Sequence, residues 1–421
     1  MGMTTAARLG AGLLTFSVLA RTLGPESFGI LMLWMSVAAL LATITNFGLT
    51  TYVLREIGAN PKSAEQIINE GLSGQLLLAA LVSSGAAAAA WGLNLEHASI
   101  FLLVLFATFA DSVTEFLNAG FRARNRFEIE TKIATVGAVF HAVIVCGAIL
   151  MEGSVEVAAK AYLASRMFIL ALTFQAVSKY FSRPKISRFR DAAARLRGAL
   201  AYAVDGALQS LFGQLDSLVL NHYIGPVAVG IYQAGMRIFQ TGTQVATVLS
   251  NVFLPRASAN FESIDTFTKE ARRIQIVFIS TGAVLGLFIG VFSSYIVRLL
   301  FGADFLPVAV LLPLFGLLFY LRFVAGAWGI VLTACGQQVF RAATTGVYWL
   351  VILALAVWLV PSYGIRGWLT ALCIGTIGLI LFYAVRASRY LTTSWDLAAA
   401  TILCGLLFLP LLWRSLNVGE H

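Results

Sequence analysis

The chain has 421 residues, of which 59% are hydrophobic and 12% are charged, and its mean hydropathy is +0.85. Soluble domains carry about 25% charged residues, so this composition excludes a soluble protein and predicts an integral membrane protein. The net charge of +9 does not indicate nucleic-acid binding, because the basic residues concentrate in the connections between apolar segments.

Thirteen apolar segments are long enough to cross a bilayer, which takes about 20 residues per helix. They predict an all-α integral membrane protein in which twelve helices form two six-helix bundles and a thirteenth is an extra C-terminal helix. In chain order the segments lie at about 4–22, 28–49, 71–93, 98–120, 130–151, 156–178, 198–223, 227–252, 274–300, 306–333, 340–360, 366–387 and 396–413.

One short stretch occurs twice and divides the chain into similar halves. It is LGPESFGI at 23–30 and IGPVAVGI at 224–231, an offset of 201 residues that also places Arg55 on Arg256. A Gly-Pro pair forms a turn, and the proline is well placed to begin the next helix. Each copy is therefore predicted to join the first two helices of a bundle.

The basic residues set the predicted orientation. With a cytoplasmic N-terminus, 20 of the 29 lysines and arginines fall in cytoplasmic connections, five fall outside and four lie within the spans. This bias follows the positive-inside rule. Six spans separate the two copies, so both halves enter the membrane in the same sense, and the two bundles are predicted to be related by a pseudo-two-fold axis along the membrane normal.

The resulting domain limits are an N-lobe at 1–180, a basic cytoplasmic linker at 181–197, a C-lobe at 198–388, and the extra helix with its tail at 389–421. In the linker, bases alternate with apolar residues over 183–190. This pattern favours an anchor on anionic lipid headgroups, and a docking surface for the substrate is the alternative.

Ionisable side chains within spans are costly in hydrocarbon, so they are expected to face a partner or a water-filled cavity. Helical spacing places the acidic ones in stripes, with Asp111 and Glu115 in the fourth span and Asp205 and Asp216 in the seventh. We expect these carboxylates to be counter-ions or ion-coupling groups. The expected substrate-binding residues of the spans are Arg237, Arg322, Arg166, Arg8, Gln209, Gln240 and Gln244.

Several of these residues also have structural explanations that the sequence leaves open. Asp111 and Glu115 are spaced to form ion pairs with Arg122 on their own helix, and Asp216 is placed to form an ion pair with Arg237. The alternative for Arg322 is hydrogen bonding to backbone carbonyls at a helix break, and the alternative for Arg166 is a purely structural role. Because arginine binds phosphate and carboxylate through paired hydrogen bonds, the number of arginines favours an anionic substrate.

The sequence lacks the motifs of several enzyme classes. It has no G-x-x-x-x-G-K-[ST] loop, no H-E-x-x-H, no G-x-S-x-G and no histidine pair at metal-ligand spacing. We therefore predict no catalytic residue, no metal site, no cofactor and no enzymatic activity.

A set of short motifs resembles one family of transporters. The motifs are LARTLGP at 19–25, NFGL at 46–49, DSLVL at 216–220, GP at 225–226, LFG at 300–302, GQ at 336–337 and VPSYGIRG at 360–367. They occur in the order that is typical of bacterial lipid-linked oligosaccharide flippases, which translocate O-antigen or exopolysaccharide precursors. This family belongs to the superfamily of multidrug, oligosaccharidyl-lipid and polysaccharide exporters.

The resemblance implies two six-helix lobes that face each other across a V-shaped cavity. It implies alternating access in the bacterial inner membrane, with an undecaprenyl-diphosphate-linked oligosaccharide as the substrate. Expected partners are membrane lipids, a polysaccharide polymerase and chain-length proteins, and the flippase is expected to act as a monomer. The abbreviated first span leaves a role for Arg8 open.

Two other functions remain at this point. A cation-coupled multidrug exporter of the same superfamily would need an acidic and aromatic cavity with few arginines. A scaffold, or a subunit of a glycan polymerase, would need a large outside loop, and the outside connections of this chain are short.

Overall fold

The computed structural model describes residues 2–181, 183–259, 263–391 and 404–412, with side chains from residue 10 onward except that of Asp205. The described residues form α-helices joined by short connections. The helices are α1 (Gly2–Asn46), α2 (Leu49–Ala59), α3 (Ala64–Gly92), α4 (Ala98–Ala123), α5 (Phe127–Met151), α6 (Val155–Tyr180), α7 (Phe189–Tyr223), α8 (Pro226–Ala259), α9 (Ile264–Val291), α10 (Ser293–Leu300), α11 (Leu306–Ala334) and α12 (Gln338–Ala387).

Two of the long helices are each a pair of helices joined at a glycine. Helix α1 is broken at Gly24 (φ 72°) and α12 at Gly364 (φ 59°). When the two halves of α1 and of α12 are taken separately, and α2 and α10 are left aside as short helices, the described helices match the first twelve predicted segments. The prediction of an all-α membrane protein is confirmed. Of the predicted thirteenth span, only 404–412 is described, and the rest lies outside the described residues.

The glycine of the repeated Gly-Pro turn has a positive φ in both copies. Gly24 and Gly225 have φ values of 72° and 102°, in the left-handed region that only glycine adopts without strain. The proline that follows each glycine lies in the first turn of the next helix, where its missing N–H breaks no hydrogen bond. The turn predicted from the repeat is therefore present in both halves.

Eight described helical segments are long and apolar enough to cross a membrane. The segment Gly10–Ala59 contains the first two predicted spans, and Gln338–Tyr390 contains the eleventh and twelfth. Helices α7 and α8 are also long, with 35 and 34 residues. They contain too many polar residues to count among these eight apolar segments. The chain is thus a multi-pass membrane protein with two polar helices at its middle.

By its internal contacts the chain divides into two compact units, 1–221 and 222–421. Helix α7 packs with the first unit. The predicted lobe limits, which place this helix in the C-lobe, rest on the sequence repeat and stay a prediction.

A single central helix organises each unit. In the first unit it is α4, which contacts α1, α2, α3, α5 and α6, and in the second it is α11, which contacts α8, α9 and α12. Of the most apolar stretch of each helix, 61% is buried in α4 and 78% in α11. Both are the fourth predicted span of their half, as a duplicated bundle requires.

Phenylalanine rings and glycines fix the packing around α11. The ring of Phe319 stacks on Phe323 with centroids 4.7 Å apart and meets Phe239 of α8 edge-on. About one turn earlier along α11, Gly316 lies so close to Gly286 of α9 that a Cβ on Gly286 would be 2.5 Å from the Gly316 carbonyl oxygen. Small residues let membrane helices approach in this way.

We therefore expect the substitution Gly286→Val to destabilise the protein by about 1–3 kcal/mol, the range for overpacking a close contact. The matched control is Gly378→Val in α12, where an added Cβ meets no atom within 4 Å. Thermal unfolding of the purified protein in detergent measures the stability of both variants. Equal melting temperatures for the two variants would contradict the packing described here.

Candidate functional site

The charged residues of α4 and α6 meet within the first unit. The Arg166 guanidinium donates from Nη1 to Asp111 Oδ1 at 3.0 Å, and its carbon lies 4.9 Å from the centre of the Tyr162 ring. The two side chains are 24% and 47% exposed. The pair is therefore neutral as a whole but remains accessible to water or to a ligand.

A histidine from α5 joins this pair. His141 Nδ1 lies 2.8 Å from Ser165 Oγ, and the Ser165 hydroxyl donates to the Tyr162 carbonyl oxygen at 2.7 Å. Because that hydroxyl hydrogen is already used, Ser165 Oγ accepts from the Nδ1–H of His141. We call Asp111, His141, Tyr162, Ser165 and Arg166 the Asp111–Arg166 cluster, and it connects α4, α5 and α6.

The next charges along α4 are also paired. Arg122 Nη1 lies 2.7 Å from Glu115 Oε1, and the same guanidinium donates to both Glu130 oxygens from Nε and Nη2. Glu115 thus belongs to the network with Arg122 that the sequence left open, whereas Asp111 belongs to the cluster with Arg166. Both expected coupling carboxylates of α4 have an arginine partner.

Further polar contacts join distant parts of the first unit and were missed by the sequence reasoning. Glu70 of α3 accepts from Arg195 Nε at 2.5 Å, and Arg195 also donates to the Tyr52 hydroxyl at 3.4 Å. Burial lowers the pKa of the Arg195 guanidinium, but its hydrogen bonds to Glu70 and Tyr52 outweigh burial and the pKa is raised. The buried Gln75 donates to Ser112 Oγ at 2.9 Å.

The arginines of the second unit lie on its central helix and on a polar neighbour. Arg322 of α11 is half-buried, and its guanidinium carbon is 5.4 Å from the centre of the Tyr348 ring. Arg237 of α8 is half-buried, and its carbonyl oxygen accepts from the Thr241 hydroxyl at 2.8 Å. Helix α11 is continuous through Arg322, so the alternative explanation of this residue by a helix break does not apply.

Three predicted glutamines are exposed. Gln240 and Gln244 are exposed on α8, and Gln209 is exposed on α7. Arg237, Gln240 and Gln244 have the spacing i, i+3, i+7 and share one face of α8. An amide on a membrane-spanning helix requires a hydrogen-bonding partner, so these faces suit contact with water or with a polar substrate.

The other predicted residues are less informative. Asp216 is buried and accepts from the backbone N–H of Ser217, whose hydroxyl is 3.0 Å from that of Ser36. Its predicted pair with Arg237 stays a prediction.

Arg8 and Asp205 lie outside the residues whose side chains are described. Among the side chains that are described, no three from His, Cys, Asp and Glu come together as metal ligands.

A family model described as polysaccharide biosynthesis protein matches residues 2–261. A search of the curated proteins finds no match. Among solved structures, the lipid II flippase MurJ in an inward closed conformation has a TM-score of 0.72 at 11% identity, over 99% of each chain. A multidrug resistance transporter of the MATE family, facing inward, has a TM-score of 0.66 at 16% identity, over 91% of this chain and 95% of that chain.

A third solved structure, a transporter from Pyrococcus furiosus, has a TM-score of 0.59 at 16% identity, over 92% of this chain and 95% of that chain. For that protein, the reverse polarity of the binding pocket is described as suggesting a different function. At these identities the likeness shows that the chain has the fold of these transporters.

The pairing of Asp111 with Arg166 is testable by a double-mutant cycle with Asp111→Asn and Arg166→Gln. Because the pair is only partly buried, we expect a coupling energy of about 1 kcal/mol in thermal unfolding. The control cycle uses Glu156 and Lys160, an exposed pair one helical turn apart, for which we expect about 0.3–0.5 kcal/mol. Strictly additive effects of the two substitutions at Asp111 and Arg166 would rule out the interaction.

Proposed function

Because the chain belongs to the polysaccharide biosynthesis protein family, within the superfamily that includes the multidrug resistance transporters, we propose that it flips an undecaprenyl-diphosphate-linked oligosaccharide by alternating access. The observation that carries this proposal is the set of arginines on membrane-spanning helices, accompanied by exposed glutamines. A diphosphate and its sugars must cross about 30 Å of hydrocarbon, and such groups need ionic and hydrogen-bonding partners along the way.

Arginine suits the diphosphate because its planar guanidinium forms paired hydrogen bonds with phosphate oxygens. We assign Arg237 and Arg322 to the diphosphate or to acidic sugars. Arg166 and Arg8 are assigned the same role from the N-lobe. Gln209, Gln240 and Gln244 are assigned to sugar hydroxyls, because an amide both donates and accepts hydrogen bonds.

Four carboxylates are assigned to ion coupling or to charge balance: Asp111, Glu115, Asp205 and Asp216. Asp111 is the leading one, because its partner Arg166 is also a proposed substrate contact. An anionic substrate at Arg166 would compete with Asp111 for the guanidinium. Ion binding at Asp111 and substrate binding at Arg166 would then be linked through one ion pair.

The proposal places the chain in the bacterial inner membrane with a cytoplasmic N-terminus. The lobe limits of 1–180 and 198–388 belong to it, as do a polysaccharide polymerase and chain-length proteins as partners. The bias of lysine and arginine toward one side of the predicted topology supports the orientation.

A cation-coupled multidrug exporter is the alternative, and the likeness to MATE transporters supports it. Cationic drugs need unpaired carboxylates. Asp111 and Glu115 of α4 are each paired with an arginine. This pairing makes both carboxylates less available to a cationic substrate.

The proposed substrate contacts are testable by transport in reconstituted vesicles that contain a fluorescent lipid-linked oligosaccharide. We expect the double variant Arg237→Ala/Arg322→Ala to flip the lipid at least tenfold more slowly, because each lost charge-assisted hydrogen bond is worth about 1.5–3 kcal/mol. The control is Arg389→Ala, which removes an exposed arginine from the second unit. Full activity in the double variant would reject both assignments.

A further inference from the structure

A groove of about 660 Å³ runs along the outside of the first unit, lined by α3, α4 and α6. Apolar side chains form most of its wall. Leu76 of α3 and Met167 and Phe174 of α6 line it with 43%, 50% and 43% of their surfaces exposed, and Val113 of α4 lies at its floor with 8% exposed. Partly exposed side chains of this size make the groove suitable for a hydrocarbon chain.

One end of the groove is polar. Its wall changes from Phe174 to Gln175 and Ser178, and Arg183 of the linker lies at the end. From Met167 to Ser178 the helix rises by about 16 Å, roughly half of the hydrocarbon core. The groove is therefore about as long as one leaflet is thick. The predicted topology places its cationic end at the cytoplasmic boundary of the sixth span, where lipid headgroups are expected.

Contacts on both sides hold Arg183 in this place. Before it, the Phe181 ring packs against the core of the unit, and the guanidinium carbon of Arg124 lies 4.3 Å from the centre of that ring. After it, the backbone N–H groups of Lys185 and Ser187 donate to Asn69 Oδ1 at 2.9 Å and to Ser73 Oγ at 2.8 Å. Asn69 and Ser73 are one helical turn apart on α3, so they bind two alternate residues of an extended chain.

Arg183 is the charged residue among those that line the groove. It belongs to a basic segment, 183–190, in which Arg183, Lys185, Arg188 and Arg190 are all exposed, and Asp191 follows this segment. Glu70, the nearest carboxylate on α3 to Asn69, is held by Arg195. The open end of the groove therefore attracts a ligand with more than one negative charge.

We propose that this groove binds the polyprenyl tail of the lipid-linked substrate in the leaflet from which it is taken, with the diphosphate at Arg183. The inference rests on the proposed function for the identity of the ligand. A diphosphate matches the cluster of bases better than a phospholipid does, because it carries at least two negative charges where a phosphodiester carries one. The groove is thus a loading site, separate from the arginines assigned to transport.

The experiment measures binding of undecaprenyl diphosphate to the purified full-length protein by native mass spectrometry. It is done in the Arg237→Ala/Arg322→Ala background, so that the proposed transport contacts do not contribute. Ala171→Trp fills the groove, and Arg183→Ala removes the cation at its end. We expect either substitution to weaken binding about tenfold, which corresponds to about 1.4 kcal/mol. The tryptophan excludes the tail from the groove, and the alanine removes the contact with the diphosphate.

Matched controls use the same changes outside the groove. Ala354→Trp places the new ring at an exposed position of α12 in the second unit, and Arg389→Ala removes an exposed arginine from the same unit. We expect both to bind within twofold of the parent. Unchanged binding in Ala171→Trp, equal weakening in Ala354→Trp, or equal affinity for phosphatidylglycerol would each overturn the loading site.

The outcome for the loading site is separate from that for the proposed function. If the wild-type protein does not flip the lipid in vesicles while groove-dependent binding persists, the proposed function fails and the site stands. If flipping is normal in Ala171→Trp and binding is unchanged, the loading site fails and the proposed function stands.

Discussion

A charge on a membrane-spanning helix must find an opposite charge, a hydrogen-bonding partner or water, because hydrocarbon offers none of these. Several described side chains satisfy this constraint. Asp111 meets Arg166, Glu115 meets Arg122, and Arg322 lies over an aromatic ring. The first of these contacts joins α4 to α6 and the third joins α11 to α12.

The same constraint explains why each unit has a central helix. Helices α4 and α11 are buried on most sides and are surrounded by the helices of their own unit. A polar residue on such a helix needs a partner within its own unit: the exposed Glu115 has Arg122, and the half-buried Arg322 has the Tyr348 ring. Helices α7 and α8 are the opposite case, because they are too polar to count among the apolar spans and expose glutamines.

Much of this architecture is readable from the sequence because it depends on local properties. Runs of apolar residues located twelve helices, and the Gly-Pro pairs located two turns whose glycines adopt positive φ values. Helical spacing placed Asp111, Glu115 and Arg122 on one face of α4. Spacing along one helix cannot tell which neighbouring helix lies opposite, so the partner of Asp111 was not predicted. The contact of Glu70 with Arg195 joins residues 125 positions apart, and no local pattern in the sequence indicates it.

We propose that the arginines of this protein make it a carrier of anions, although it shares a fold with multidrug resistance transporters. The most direct measurement compares two substrates in the same reconstituted vesicles, a lipid-linked diphosphate oligosaccharide and a lipophilic aromatic cation such as ethidium. We expect the protein to flip the diphosphate lipid and not to transport the cation. Transport of the cation without flipping of the diphosphate lipid would contradict this proposal.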